Sequence, residues 1–220
     1  MAEIRTNFLE PVAVAPDQQR WVASPQAGVE RVMLDRSGDE VAVATSLVRY
    51  APGSTFPDHD HALGEEFVVL RGEFADEHGR YAAGSYIRNP PGTHHAPFSE
   101  PGCLIWVKLR QFDLADQRQC VLALDLPMPA DGWAERELHS FRDETVREVV
   151  AAEGVEVLLA AAPEIQEVLV VAGELRWQGQ VIGPTGWIRV PAGSGLTFAA
   201  LGPCRVLTKS RPFYANSATL

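Results

Sequence analysis

A shift of 101 residues lays this sequence over itself without a gap. Gly53 falls on Gly154, Glu66 on Glu167, Val69 on Val170, and Gly72-Glu73 on Gly173-Glu174. Tyr86-Ile-Arg-Asn-Pro-Pro-Gly92 overlies Trp187-Ile-Arg-Val-Pro-Ala-Gly193. Cys103, Lys108, Arg110 and Phe112 meet Cys204, Lys209, Arg211 and Phe213. Chance rarely satisfies so many positions with one offset, so the chain reads as two copies of one module. Each copy must then close its own core within roughly 100 residues.

The module is built of strands. Val41-Ala-Val-Ala-Thr-Ser-Leu-Val-Arg-Tyr50 is rich in β-branched residues and ends at Ala51-Pro52-Gly53. Glu66-Phe-Val-Val-Leu70 stops at Arg71-Gly72, Tyr86-Ile-Arg runs into Asn89-Pro-Pro-Gly92, and Cys103 to Arg110 forms a longer run. Short strands punctuated by Gly and Pro indicate an all-β sandwich or barrel. Asp143 to Ala152 could pass for helix on propensity alone, but it overlies the strand near residues 42–51, and register across the repeat makes it a strand. Residues 1–20 read as an arm or irregular lead-in. The connection falls between Asp113 and Gly132, which divides the chain into 1–122 and 123–220.

The first copy carries a cluster that the second lacks. His59 and His61 lie two residues apart and so share one face of a strand; Glu65 follows, and His95 lies beyond Pro90-Pro-Gly92. These are nitrogen and oxygen donors suited to one divalent ion, with zinc or iron foremost and manganese, nickel and copper also compatible. The equivalent positions of the second copy hold Ala160, Ala162, Gln166 and Leu196, so all four donors vanish together while the turn-forming Gly and Pro residues persist. The same comparison demotes Arg88, Lys108 and Arg110, which recur as Arg189, Lys209 and Arg211, to structural or interface roles. Glu66 recurs as Glu167 and should point away from Glu65. Between the neighbours His94 and His95, spacing selects His95. Phe67 and Val69, on the Glu65 face, are expected to line a cavity beside the metal. His78 and His139 are expected at the surface.

These spacings resemble the two cupin motifs. Gly53, His59, His61, Glu65 and Gly72 fit the first, and Gly84, Pro90, Gly92 and His95 fit the second, with Ser99 replacing its asparagine. Glu65-Glu-Phe-Val-Val-Leu-Arg-Gly72, Phe74-Ala-Asp-Glu-His-Gly79 and Tyr86 to Gly92 are similar to ChrR-type cupins. The resemblance implies a duplicated jelly-roll barrel, a bicupin, that binds one divalent metal through its first copy. It also implies a regulatory or stress-sensing module with a protein partner, following the cupin domain of the anti-sigma factor ChrR. The His-x3-Cys-x2-Cys motif of that factor's sigma-binding zinc domain does not occur in this sequence, which counts against direct sigma-factor inhibition. Relatives in that family include metal-dependent dioxygenases that cleave diketones and hydroxyacetophenones, which supplies the alternative reading, an enzyme acting on a small molecule.

Composition narrows the remaining classes. A formal net charge of −10 disfavours direct contact with a nucleic-acid backbone. Three cysteines without CxxC spacing indicate free thiols in a reducing compartment. The N-terminal residues lack a signal-peptide pattern, and the apolar region Val155 to Gly173 is broken by Glu156, Glu164 and Glu167, so a cytoplasmic protein without a membrane span is expected. Self-association stays open.

Overall fold

The computed structural model describes residues 3–39 and 41–212, and among them every long element is a strand. The first of two compact units holds Arg20–Leu124 with residues 3–6; the second holds Asn7–Gln19 and residues 125–212.

In the first unit the principal strands are β1 (Val29–Ser37), β2 (Val43–Tyr50), β3 (Glu65–Asp76), β4 (Ser85–Asn89) and β5 (Cys103–Leu109). Their antiparallel order is β1-β2-β5-β3-β4, and Cys120–Ala123 closes the edge against β4. The second unit repeats the design with β6 (Trp133–Phe141), β7 (Glu144–Ala151), β8 (Ile165–Ala172), β9 (Trp187–Val190) and β10 (Cys204–Arg211), in the order β6-β7-β10-β8-β9. Within the segment from Asp143 to Ala152, Glu144–Ala151 is strand, as the repeat required. Smaller strands form the facing layer: Ser54–Thr55, Gly79–Ala82 and Phe98–Ser99 in the first unit, and Glu156–Leu159, Leu175–Trp177, Gln180–Ile182 and Leu196–Ala200 in the second. Apolar residues fill each interior, among them Phe67, Val69, Phe74, Ile87 and Ile105 in the first and Val157, Val168, Ile188, Phe198 and Val206 in the second. Burying such a side chain contributes about 1.5–3 kcal/mol.

Both units carry their irregularities in the same places. A bulge between Val69 and Arg71 of β3, opposite Ile105 and Leu104, recurs between Val170 and Ala172 of β8. Another in β1, between Met33 and Asp35, recurs in β6 between Glu137 and His139. The β6–β7 hairpin is shorter than the β1–β2 hairpin, so the offset of 101 breaks upstream of β7, and His139 takes the place of Asp35. Both are buried, which corrects the expectation that His139 lies at the surface.

Residues 7–19 depart most from the sequence reading. They are not an arm: Val12–Val14 pairs antiparallel with β9 and serves the second barrel as Cys120–Ala123 serves the first. Arg189 adds to this attachment, stacking over the Phe8 ring at 4.0 Å and donating from Nη2 to the Asn7 carbonyl oxygen. A division at 122/123 that gives residues 1–122 wholly to the first barrel therefore misassigns this segment.

Candidate metal centre

The four donors sit where two short strands meet. His59–Asp60 pairs with His94–His95, placing His59 directly across from His95. Glu65 opens β3, and the turn between holds His61, whose N–H donates to the Thr93 carbonyl while its own carbonyl accepts from Gly92 and Gly64. One donor atom from each of His59, His61, Glu65 and His95 lies within 4.8 Å of the others. Glu65 Oε2 is 3.5 Å from His61 Nε2 and 3.4 Å from His95 Nε2. Two ligands each about 2.1 Å from one ion would be separated by roughly 3.0–3.4 Å, so the atoms stand at near-ligating spacing.

Tautomers follow from the outer hydrogen bonds. Thr93 Oγ1 donates to the Pro90 carbonyl, leaving its oxygen to accept from His61 Nδ1–H at 3.0 Å. His59 Nδ1 donates to the Pro57 carbonyl at 2.9 Å, and His95 Nδ1 to Asp76 Oδ2 at 3.1 Å. Every Nδ1 is thus committed as a donor, and every Nε2 carries a lone pair toward the shared point. His61 Nε2, Glu65 Oε2 and His95 Nε2 are buried polar atoms without a hydrogen-bond partner. Orphaned acceptors cost free energy unless something satisfies them; three converging on one point fit a divalent cation.

The electrostatics agree. Burial, reinforced by the neighbouring imidazoles and partly offset by Glu65, lowers the His61 pKa to about 4, so the ring is neutral and able to ligate. For His95 burial pulls the pKa down, but the Asp76 hydrogen bond and the charges of Glu65, Asp76 and Glu77 outweigh it and the net shift is upward. Burial would raise the Asp76 pKa; the His95 hydrogen bond and the N–H groups of His78 and Gly79 overcome that and hold it below the usual range.

Beside the cluster lies a cavity of about 350 Å³ in which all four donors share a wall with Val29, Phe56, Phe74, Ile105 and Val107. Its lining includes Val41 and Asp60, both exposed residues, so it reaches the surface. Phe67 and Val69 do not line it. Both are fully buried in the barrel core behind it, and Phe74, packed on Phe67 at 4.6 Å and 5.7 Å from the His95 ring, takes the expected place. Phe74 and Asp76 turn toward the site because of the β3 bulge: one extra residue at Leu70 exchanges the faces of everything after it, where strict alternation from Glu65 would exclude them.

The remaining candidates fall as follows. His94 points outward with 58% of its side chain exposed, against 2% for His95. His78 is exposed. Glu66 is buried away from the cluster, accepting from Tyr86 Oη and Arg88 Nη1 at 2.8 Å each, and Arg88 also pairs with Asp116 at 2.6 Å. Lys108 donates to Thr45 Oγ1 in the interior. In the second barrel, Leu159 stands across from Leu196 as His59 stands across from His95, so the position equivalent by pairing is Leu159 and not Ala160. Gln166 turns its amide to the Ala160 and Ser194 carbonyls. Apolar contact and internal hydrogen bonds occupy the place of the four donors.

Antiparallel strands in this order, converging three imidazoles and a carboxylate at a barrel mouth, define a metal-binding cupin. Residues 9–113 match the ChrR Cupin-like domain family. Among solved structures it is similar to the bacterial pirin YhhW of Escherichia coli in complex with nickel(II), with TM-score 0.71 and 14% identity over 93% of this chain and 100% of that one. A provisionally assigned dioxygenase from Nostoc punctiforme gives 0.71 and 14%, covering 96% and 86%. A Cupin 2 conserved barrel domain protein from Leptotrichia buccalis gives 0.65 and 13%, covering 95% and 99%. At such identities the likeness is one of fold. Comparison with curated proteins finds no match. No helix among the described residues is long and apolar enough to cross a membrane.

Proposed function

We propose that the first barrel is a mononuclear metal enzyme of dioxygenase type, acting on a small diketone-like or hydroxyacetophenone-like molecule. One observation carries the reading: the donor cluster forms part of the wall of a 350 Å³ cavity, a volume suited to a small organic molecule. An ion held only for structure needs no such space, because a closed site has all its positions filled by protein.

His59, His61, His95 and Glu65 would hold the ion, which when bound supplies Lewis acidity and, for iron, one-electron redox chemistry. The chain supplies the rest. Asp76 keeps the His95 ring oriented and its Nδ1 protonated. Phe56, Phe74 and Ile105 exclude water from one side of the cavity. Tyr50 also lines it; burial first, then the charge of Glu65, raise its phenol pKa, so the O–H stays protonated and can donate a hydrogen bond to a carbonyl or enolate oxygen of a bound molecule. The three free thiols suit a reducing compartment, and we place the protein in the cytoplasm.

The test is anaerobic loading with Fe(II) followed by oxygen-electrode measurements with pentane-2,4-dione and 2-hydroxyacetophenone. Substrate-dependent oxygen uptake that disappears in His61→Ala is expected. Stoichiometric iron without uptake on either compound would overturn the dioxygenase assignment. It would leave the second reading, a metal-binding regulatory or stress-sensing module with a protein partner, which the ChrR Cupin-like family match supports.

A further inference from the structure

Three arginines line the metal-side cavity: Arg31, Arg36 and Arg110. This is unexpected in a chain of net charge −10, whose other buried or half-buried arginines mostly meet carboxylates, as Arg88 meets Glu66 and Asp116, and Arg211 meets Glu167. Among the described residues, neither Arg31 nor Arg110 has a carboxylate partner. Arg31 donates one N–H to Ser24 Oγ, and Arg36 is spent on the carbonyls of Gly38 and Asp39. Asp60 and Glu65 are the lining carboxylates, and Glu65 belongs to the metal ligands.

Arg110 shows how the arrangement arises. Its repeat counterpart Arg211 is 2% exposed and donates from Nε to Glu167 at 3.0 Å. Arg110 is half-buried and sits at φ +62, in the left-handed region that non-glycine residues rarely adopt. That backbone turn follows the end of β5 at the cavity wall, which Arg110 helps to line, while Glu66 is served by Arg88 and Tyr86. Recurrence in the sequence demoted Arg110 to a structural role; its environment does not recur. Arg31 reaches the cavity by alternation with Val29 along β1.

We infer that the cavity recognises a small organic carboxylate, whose anionic end is held by the open guanidinium edges of Arg31 and Arg110 while its other end lies toward the metal cluster. This deepens the proposed function and rests on it, since the molecule bound is the one the metal would act on. Guanidinium groups are matched to planar oxyanions, which accept two parallel hydrogen bonds. With a divalent ion at the cluster, the three arginines leave the lining with an excess of positive charge, and an anionic ligand relieves it. Independent of that argument, burial and the charge of Arg36 both lower the Arg31 pKa, a repulsion that a bound carboxylate would remove.

The test compares 4,6-dioxoheptanoate with its methyl ester. Both carry the same β-diketone, and only the acid carries a charge. Zinc-loaded protein is titrated calorimetrically, since zinc does not turn over such compounds by redox chemistry. The anion should bind at least about tenfold more tightly than the ester. Arg31→Gln and Arg110→Gln should each reduce that ratio and the double variant should bring it near one, with ester affinity, zinc content and melting temperature unchanged. Arg110→Lys should retain part of the preference. Equal affinities in the native protein, or a ratio that survives in the double variant because zinc alone attracts the anion, would overturn the inference. Ester binding without preference leaves the metal-side cavity standing; binding of neither compound to zinc-loaded protein overturns both readings.

Discussion

Replacing Asp76 by asparagine changes few atoms and should weaken metal binding strongly. Asp76 Oδ1 accepts the N–H groups of His78 at 2.9 Å and Gly79 at 3.0 Å and the Tyr81 O–H at 3.2 Å, while Oδ2 accepts from His95 Nδ1. An asparagine has one carbonyl oxygen for these four donors. Three of them favour keeping it at the Oδ1 position, which turns the amide N–H toward His95 Nδ1. The imidazole can then avoid a donor–donor clash only by moving its proton to Nε2, the atom aimed at the metal. Loss of such an orienting partner typically costs 10–100-fold in metal affinity, about 1.4–2.8 kcal/mol, and the tautomer argument puts Asp76→Asn at the upper end. Chelator competition with Zn(II) at pH 7.5 or thereabouts measures it. Acidification supplies a signature. Metal binding requires neutral His95, whose pKa Asp76 raises, so native affinity falls on acidification from a higher pH than that of the variant. The ratio of native to variant affinity should therefore be largest at high pH and narrow as pH drops. A loss under about threefold, or a ratio that widens on acidification, would refute the reasoning.

Two other outcomes are expected. Elemental analysis of His59→Ala/His95→Ala should show about one equivalent of metal fewer than the native protein, and equal contents would remove the site. Gly72→Ala should unfold at markedly lower denaturant than native, because Gly72 has φ +74 and a Cβ there would meet the Gly102 carbonyl oxygen at 2.0 Å; a cost of about 3 kcal/mol or more is anticipated from backbone and clash together, and an unchanged chemical denaturation midpoint would contradict it.

The convergence of the four donors was legible because the features that aim them are local. His59 and His61 share one short segment, Glu65 follows the turn, and His95 stands across a paired strand from His59, so spacing alone nominates the set. The β2 strand was legible from its β-branched residues, and β7 through the repeat, which overrode weak propensity at Asp143 to Ala152. What was lost depended on single-residue irregularities. The bulge at Leu70 reversed inward and outward for the residues after it, bringing Phe74 to the cavity and Asp76 to the support of His95. The sign of one φ angle gave Arg110 a setting that Arg211 does not share. The Val12–Val14 strand carries too few residues for any pattern, and its partner lies far along the chain; nothing local names it. The second barrel's blank site was legible as missing donors, but the pairing of Leu159 with Leu196 needed register.

That pairing of Val12–Val14 with β9 orders events during synthesis. In the first barrel the edge contact of Ile87 with Val121 spans about 34 residues, whereas Ala13 to Ile188 spans about 175; chain entropy makes the longer closure costlier by roughly 1.4 kcal/mol. At about 5–20 residues per second, residues 12–14 leave the ribosome some ten to thirty seconds before their partner exists. The earliest part of the chain to be made is thus among the last to dock, and until it does the β9 edge remains an open strand, able to pair with any neighbour that offers one.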